Sequence, residues 1–113
     1  MKRLVFLGDS LENVREFRAG AAREVGYQLW RVQDGLEPAD WKPMPTVGIG
    51  VNEVRVRVEG EFRAFYVAKF SDAVYVLHAF RKKTRKTASG DVELARKRFR
   101  MLISERRLQW PKS

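Results

Sequence analysis

"VNEVRVRVEGEFRAFYVAKFSDAVYVLHAF", residues 51–80, is the stretch whose reading decides the fold. Its first part alternates strictly. Val54, Val56 and Val58 fall on one side, and Glu53, Arg55 and Arg57 on the other. That period of two belongs to a strand with one buried face. "EGE" makes a tight turn at 59–61, and "FRAFYVAKF" (62–70) reads as the next strand. "SD" turns the chain at 71–72, and "AVYVLHAF" (73–80) is the last strand. Strands joined by turns this short form an antiparallel meander. Its valine face needs an apolar cover.

The cover is expected upstream. "RLVFLG" (3–8) reads as a short first strand stopped by Gly8, and Asp9 or Ser10 can cap a following helix. Leu11, Val14 and Phe17 fall at helical spacing. Gly20 breaks that pattern, and a second helix runs over 21–35, with Ala22, Val25, Leu29 and Val32 as its stripe and Gly35 as its end. These two helices read as a hairpin laid on the sheet. "LEPADWKPMPTVGIG" (36–50), rich in proline and glycine, reads as a connecting loop.

Downstream, "TASGDVELARKRFRMLISERR" (87–107) reads as a helix. Thr87 or Ser89 can cap it, Asp91 and Glu93 suit the positive end of its dipole, and Val92, Ala95, Phe99 and Leu102 line its buried face. Lys97, Arg98, Arg100 and Arg106 lie mostly elsewhere on the helix, and residues 108–113, "LQWPKS", read as a frayed tail. The expectation is one α+β domain over residues 1–113 in the order β-α-α-β-β-β-α. It has a mainly antiparallel small sheet, a helical hairpin on one face and a C-terminal helix.

The composition of 44% hydrophobic and 12% aromatic residues supports a packed core. Cysteine is absent, which excludes disulfides and thiolate metal sites. No apolar run is long enough to cross a bilayer, and "MKRLVFLGDS" does not read as a secretory leader, so a cytoplasmic protein without a membrane partner is expected. Twenty-three Lys and Arg against 14 Asp and Glu give a net charge of +9, which calls for a polyanionic partner.

The cations cluster. Arg81, Lys82, Lys83, Arg85 and Lys86 leave the end of the last strand almost without a break. Arg55 and Arg57 lie opposite the valines, and Arg63 sits near the turn, on a face that depends on whether a bulge at "GE" shifts the register. Together these groups suit a cationic patch that grips a phosphodiester backbone, with Arg63 and Lys82 expected to face solvent. Phe62, Phe65, Tyr66, Phe70 and Tyr75 are expected in the core rather than as base-stacking platforms. His78, the one histidine, shares a strand face with Val74, Val76 and Phe80 on plain alternation. It is a possible acid or base, set against a hydrogen-bonded structural histidine. No metal-ligand spacing occurs, and "GIG" (48–50) lacks the lysine and helix of a phosphate-binding loop.

"VNEVRVRVEGEFRAFY" and "VYVLHAFRKKTRKT", in this element order, resemble the RelE/HigB superfamily of bacterial and phage toxins, closest to its phage-derived HigB-like branch. Leu77, His78, Ala79, Phe80, Lys82, Lys83, Thr84 and Thr87, followed by "VELARKR", carry that likeness. Ala88 stands where a proline is common. The resemblance implies a RelE-like fold and an mRNA endoribonuclease acting in the ribosomal A site. It implies roles at the reacting phosphate for Arg63, Arg81, Lys82 and Lys83, and RNA binding by Arg55, Arg57, Arg85 and Lys86. It also implies a cognate antitoxin, often with a helix-turn-helix, with mRNA and the ribosome as further partners and no metal or other cofactor. Many relatives place a tyrosine or histidine near the final helix as an acid; none follows Phe80 here. That departure favours the rival reading, a non-catalytic binder of nucleic acid or an acidic partner on the same fold.

Overall fold

A computed structural model describes residues 1–109. The elements run β1 (Arg3–Phe6), α1 (Ser10–Glu16), α2 (Ala19–Gln33), β2 (Trp41–Pro43), β3 (Val51–Arg57), β4 (Glu61–Val67), β5 (Ala73–Lys82) and α3 (Ser89–Gln109). One five-stranded sheet has the order β1-β5-β4-β3-β2, giving the α+β fold expected from sequence. β3, β4 and β5 form the antiparallel meander, while β1 joins the far side of β5 in parallel.

β2 is an addition to the expected order. Its three residues lie inside the stretch read as loop and pair with β3 at the sheet edge. Its proline is tolerated there because an edge strand leaves one set of N–H groups unpaired. The break between the helices falls at Phe17–Arg18 rather than Gly20, which α2 incorporates. Gly35, at φ +83°, reverses the chain after α2 as expected. Leu108 and Gln109 close α3 rather than fraying; the remainder of the expected tail, 110–113, lies outside the described residues.

The sheet is buried on both faces. On one, Val54, Val56, Phe62, Ala64, Tyr66, Val74, Val76 and Ala79 pack under Val14, Ala21, Val25, Leu29 and Val32 of the hairpin. Ala21, not Ala22, is the fully buried member of the α2 stripe. On the other face, Val51, Phe65, Val67, Tyr75, Leu77 and Phe80 pack under Ala95 and Leu102 of α3, with Val92 and Phe99 partly buried beside them. The strand aromatics are therefore core, and burial pushes the Tyr66 phenol up to about 12.

The pairing of β4 with β5 carries a bulge. Phe65 pairs with His78 and Tyr66 with Val76, so Leu77 is the extra residue. Alternation slips by one there. His78 consequently leaves the face of Val74 and Val76 and joins Phe65 and Phe80 on the α3 side. The buried position expected for His78 holds, but its face does not.

Candidate active site

Three cross-strand rows on the α3 side organise the site. Glu53, Phe65 and His78 form the first; Arg55, Arg63 and Phe80 the second; Arg57, Glu61 and Lys82 the third. Directly paired residues in an antiparallel sheet project to one side, so each row is a line of neighbours. No bulge occurs at the β3–β4 turn, where Arg55 pairs with Arg63. Glu59, at φ 50°, and Gly60, at φ 144°, close that turn.

α3 covers the first row and stops. Its Asp91 carboxylate lies 2.7 Å from His78 Nε2. Farther along, Arg98 donates to the Leu77 carbonyl (2.9 Å) and pairs with Asp9 (2.7 Å). Near its far end Arg106 donates to the Tyr75 hydroxyl, pairs with Asp72, and lies 3.9 Å from the centre of the Phe70 ring. These arginines therefore clamp α3 to the sheet instead of facing away from it. Gly8 makes room for the first clamp: a Cβ there would come within 2.4 Å of the Arg98 guanidinium. Asp9 occupies the cap position of α1 but makes no side-chain cap bond, and Ser10 donates to the Val76 carbonyl. The residue before α3 is Ala88, whose carbonyl accepts its first helical bonds, so neither expected side chain stands at that position.

The first and second rows together hold charge in the interior. Arg63 is only 5% exposed and Glu53 1%, which corrects the expectation that Arg63 faces solvent and that Glu53 sits on an open face. Arg63 Nη2 donates to Glu61 Oε1 at 2.7 Å and Nη1 to the Phe62 carbonyl at 3.2 Å. Its Nε lies 3.8 Å from Glu53 Oε1, which also accepts from Arg55 Nε at 3.1 Å. Two guanidiniums flanking one carboxylate offset part of the desolvation that burial at this depth imposes.

The third row is open. Arg57 is exposed and Glu61 and Lys82 are half-buried. Glu61 Oε2 lies 3.8 Å from Arg57 Nη2, so this carboxylate stands between Arg57 and Arg63 with Lys82 as its pairing neighbour on β5. The Arg63 hydrogen bond and charge hold the Glu61 carboxyl below the usual carboxylate range, with smaller contributions from Arg57 and Lys82.

Arg81 projects to the opposite side, its guanidinium 5.9 Å from the centre of the Phe62 ring at the hairpin end. Lys83, Arg85 and Lys86 sit exposed on the connection from β5 to α3. Arg81, Lys82, Lys83 and Lys86 line a hollow completed by Phe80 and Asp91. The structure thus brings Arg55, Arg57, Arg63 and Lys82 to one edge of one face, sets Lys83 and Lys86 beside it, and turns Arg81 away from that row. His78 is 5% exposed and stacked on Phe80 at 5.3 Å, within the core below the edge. Glu61, Glu53 and Asp91 carry the site's carboxylates and were not read as site residues. The signal for Glu61 was its place two residues before Arg63, across the turn from Arg57.

No helix among the described residues is long and apolar enough to cross a membrane. The family model described as "Phage derived protein Gp49-like (DUF891)" matches residues 12–100, a span that contains all three rows. No curated protein matches the chain. With most of its length accounted for by that model, and with a small RelE-like α+β architecture, the chain belongs to the Gp49-like family of phage-derived proteins, a RelE-type, toxin-like family.

Proposed function

We propose that this protein is the toxin of a type II toxin–antitoxin pair, of the HigB-like branch, and that it cleaves mRNA on translating ribosomes without a metal. The observation that carries this reading is the open row at the end of the α3 face, where Arg57 and Lys82 stand beside the buried Arg63 in a chain of net charge +9. Membership of a toxin-like family supports it.

In this reaction the ribose 2′-hydroxyl gives its proton to solvent as its oxygen attacks the adjacent phosphorus. The bond to the 5′-oxygen breaks, leaving a 2′,3′-cyclic phosphate and a new 5′-hydroxyl. Charge builds on the non-bridging oxygens and on the leaving oxygen. Fixed cations aimed at those atoms lower the barrier, by about 3 kcal/mol for each well-placed donor. Arg63 suits that task because its surroundings immobilise it, so little reorganisation accompanies the reaction. Lys82, at the end of a long core strand, supplies a second cation. Arg55 and Arg57 hold the RNA backbone, and Lys83, Arg85 and Lys86 extend that attraction along the β5–α3 connection. Lys82 or Lys83 delivers a proton to the leaving oxygen; Arg81 contributes charge from the neighbouring face. His78, buried against Asp91, fixes the start of α3 and the loop that bears the lysines.

The partner in this reading is a helix-turn-helix antitoxin with an acidic segment that covers the cationic edge. Inducing the chain alone in a bacterium tests the whole reading. Growth and translation arrest with new mRNA 5′ ends at discrete sites is expected; normal growth with intact mRNA at good expression contradicts it. The absence of Tyr and His after Phe80 favours one rival, a non-catalytic binder. Arrest without new 5′ ends identifies that rival.

A further inference from the structure

Glu61 is an anomaly in a site built to attract phosphate. It is an ionised carboxylate placed among the cations that the proposed reaction needs. Arg63 is buried, and the guanidinium nitrogen it offers toward the open row, Nη2, is already taken by Glu61 Oε1 at 2.7 Å. The other Glu61 oxygen lies 3.8 Å from Arg57, and Lys82 is its cross-strand partner. A carboxylate and a phosphate present the same planar pair of acceptor oxygens to a guanidinium. The same cations that would bind a phosphodiester therefore bind Glu61 in the free protein.

A base role suits Glu61 poorly. The charges around it favour its ionised form, and a carboxylate so stabilised accepts a proton weakly. A prop for Arg63 is a second alternative, but Arg63 is also held by the Phe62 carbonyl and by Glu53 from the interior side. What remains is competition. Glu61 is partly exposed and sits beside the turn at 58–60, so its side chain has solvent to move into.

We infer that Glu61 occupies the phosphate seat of the free protein, and that polyanions bind by displacing it from Arg63, Arg57 and Lys82. This deepens the RNA-cleaving reading and rests on it for the identity of the natural phosphate. The consequence is attenuation. A polyanion that cannot engage all three cations at once does not repay the loss of the Glu61 contacts, so casual contacts with nucleic acid stay weak despite the net charge.

The test uses the full chain and two probes: a single-stranded RNA methylated at every 2′-oxygen, so that it cannot be cleaved, and inorganic pyrophosphate. Wild type, Glu61→Gln and Glu61→Ser are titrated by fluorescence anisotropy and calorimetry over a range of KCl. Glu93→Gln, which removes a carboxylate paired with Arg96 on α3, controls for net charge. Both Glu61 variants should bind each probe tighter, by about fivefold. Their RNA salt slope should steepen by at most about 0.7, because in wild type the displaced Glu61 carboxylate takes up a cation that offsets part of the release from one phosphate. The control should change by less than about twofold, as expected for a distant exposed charge. A Glu61 role as a prop predicts weaker binding, the opposite sign. Unchanged or weaker pyrophosphate binding in both Glu61 variants overturns the inference, and so does an absence of binding in all proteins. Tighter pyrophosphate binding with no RNA binding by any protein upholds the seat and rejects RNA as its ligand.

Discussion

The two faces of the sheet differ in what they bury. Under the α1–α2 hairpin lie valines, alanines, Phe62 and Tyr66, and the buried polar groups there, Ser10 and Gln28, are uncharged and hydrogen-bonded. On the α3 side lie Glu53, Arg63 and His78, the buried carboxylate, guanidinium and imidazole of the described chain. Glu53 Oε2, Arg63 Nε and His78 Nδ1 each lack a hydrogen-bond partner among the described residues. Apolar packing alone stabilises a fold at lower cost than buried ions do. Both faces bury apolar side chains, but among the described residues only the α3 side spends part of that stability to hold charged groups at a fixed place. A functional site is where such a departure from the packing rule is expected.

The difference can be broken by mutation. Arg63→Ala should cost about 3 kcal/mol of stability by leaving Glu53 with one cation, and should slow cleavage by about a hundredfold. The double variant Glu53→Leu/Arg63→Met should regain most of the stability while cleavage stays lost, since an apolar pair of similar volume often replaces a buried ion pair at no cost. Urea denaturation read beside a cleavage assay checks both; recovery of cleavage along with stability would show the pair to be structural only.

On the hairpin face, Leu29→Ala removes a fully buried side chain. It should cost about 2–5 kcal/mol, while the folded fraction cleaves at the wild-type rate. A selective loss of cleavage would erase the division between the faces. His78→Gln should cost about 1 kcal/mol, the worth of one hydrogen bond, and retain most of the cleavage. A stable variant with cleavage lost at every pH would move His78 into the chemistry.

The smallest effect expected is on pH. Arg98 beside Asp9 and Arg106 beside Asp72 hold both carboxyls below their ordinary value of 3.8. Because the folded values are depressed, these clamps contribute fully above the ordinary carboxylate range and are lost as pH falls through the folded values. Hydrogen exchange should therefore show α3 losing protection before the hairpin on acidification. Asp9→Asn/Asp72→Asn should flatten that dependence. Simultaneous loss in both regions would contradict the clamp assignment.

Much of this architecture is legible in the sequence, for identifiable reasons. Val54 and Val56 alternate with Arg55 and Arg57, and a strict period of two fixes both strand and face. Helix spacing likewise marks Val25, Leu29 and Val32, and Ala95 and Leu102. The parallel seat of β1 beside β5 is not legible, because the partners lie far apart in sequence and neither strand encodes the pairing. The cover by α3 had a signal that alternation obscures: residues 62–67 and 73–80 are buried without interruption, as strands covered on both faces are. His78 fell on the wrong face because a bulge carries no reliable mark in side-chain pattern. The cations at 55, 57, 63 and 82 could be grouped from the meander alone. Their carboxylate neighbours could not, because the interior depth of Glu53 depends on α3.

The central claim is that the open row at the end of the α3 face is a ribonuclease site. The most direct measurement is cleavage of a defined mRNA in a purified translation system, mapped by primer extension, with wild type and Lys82→Ala compared at equal ribosome occupancy. The expected result is discrete cuts by wild type and a rate about a hundredfold lower for Lys82→Ala, with unchanged thermal stability. Intact mRNA with wild type, or equal cutting by both proteins, would contradict it.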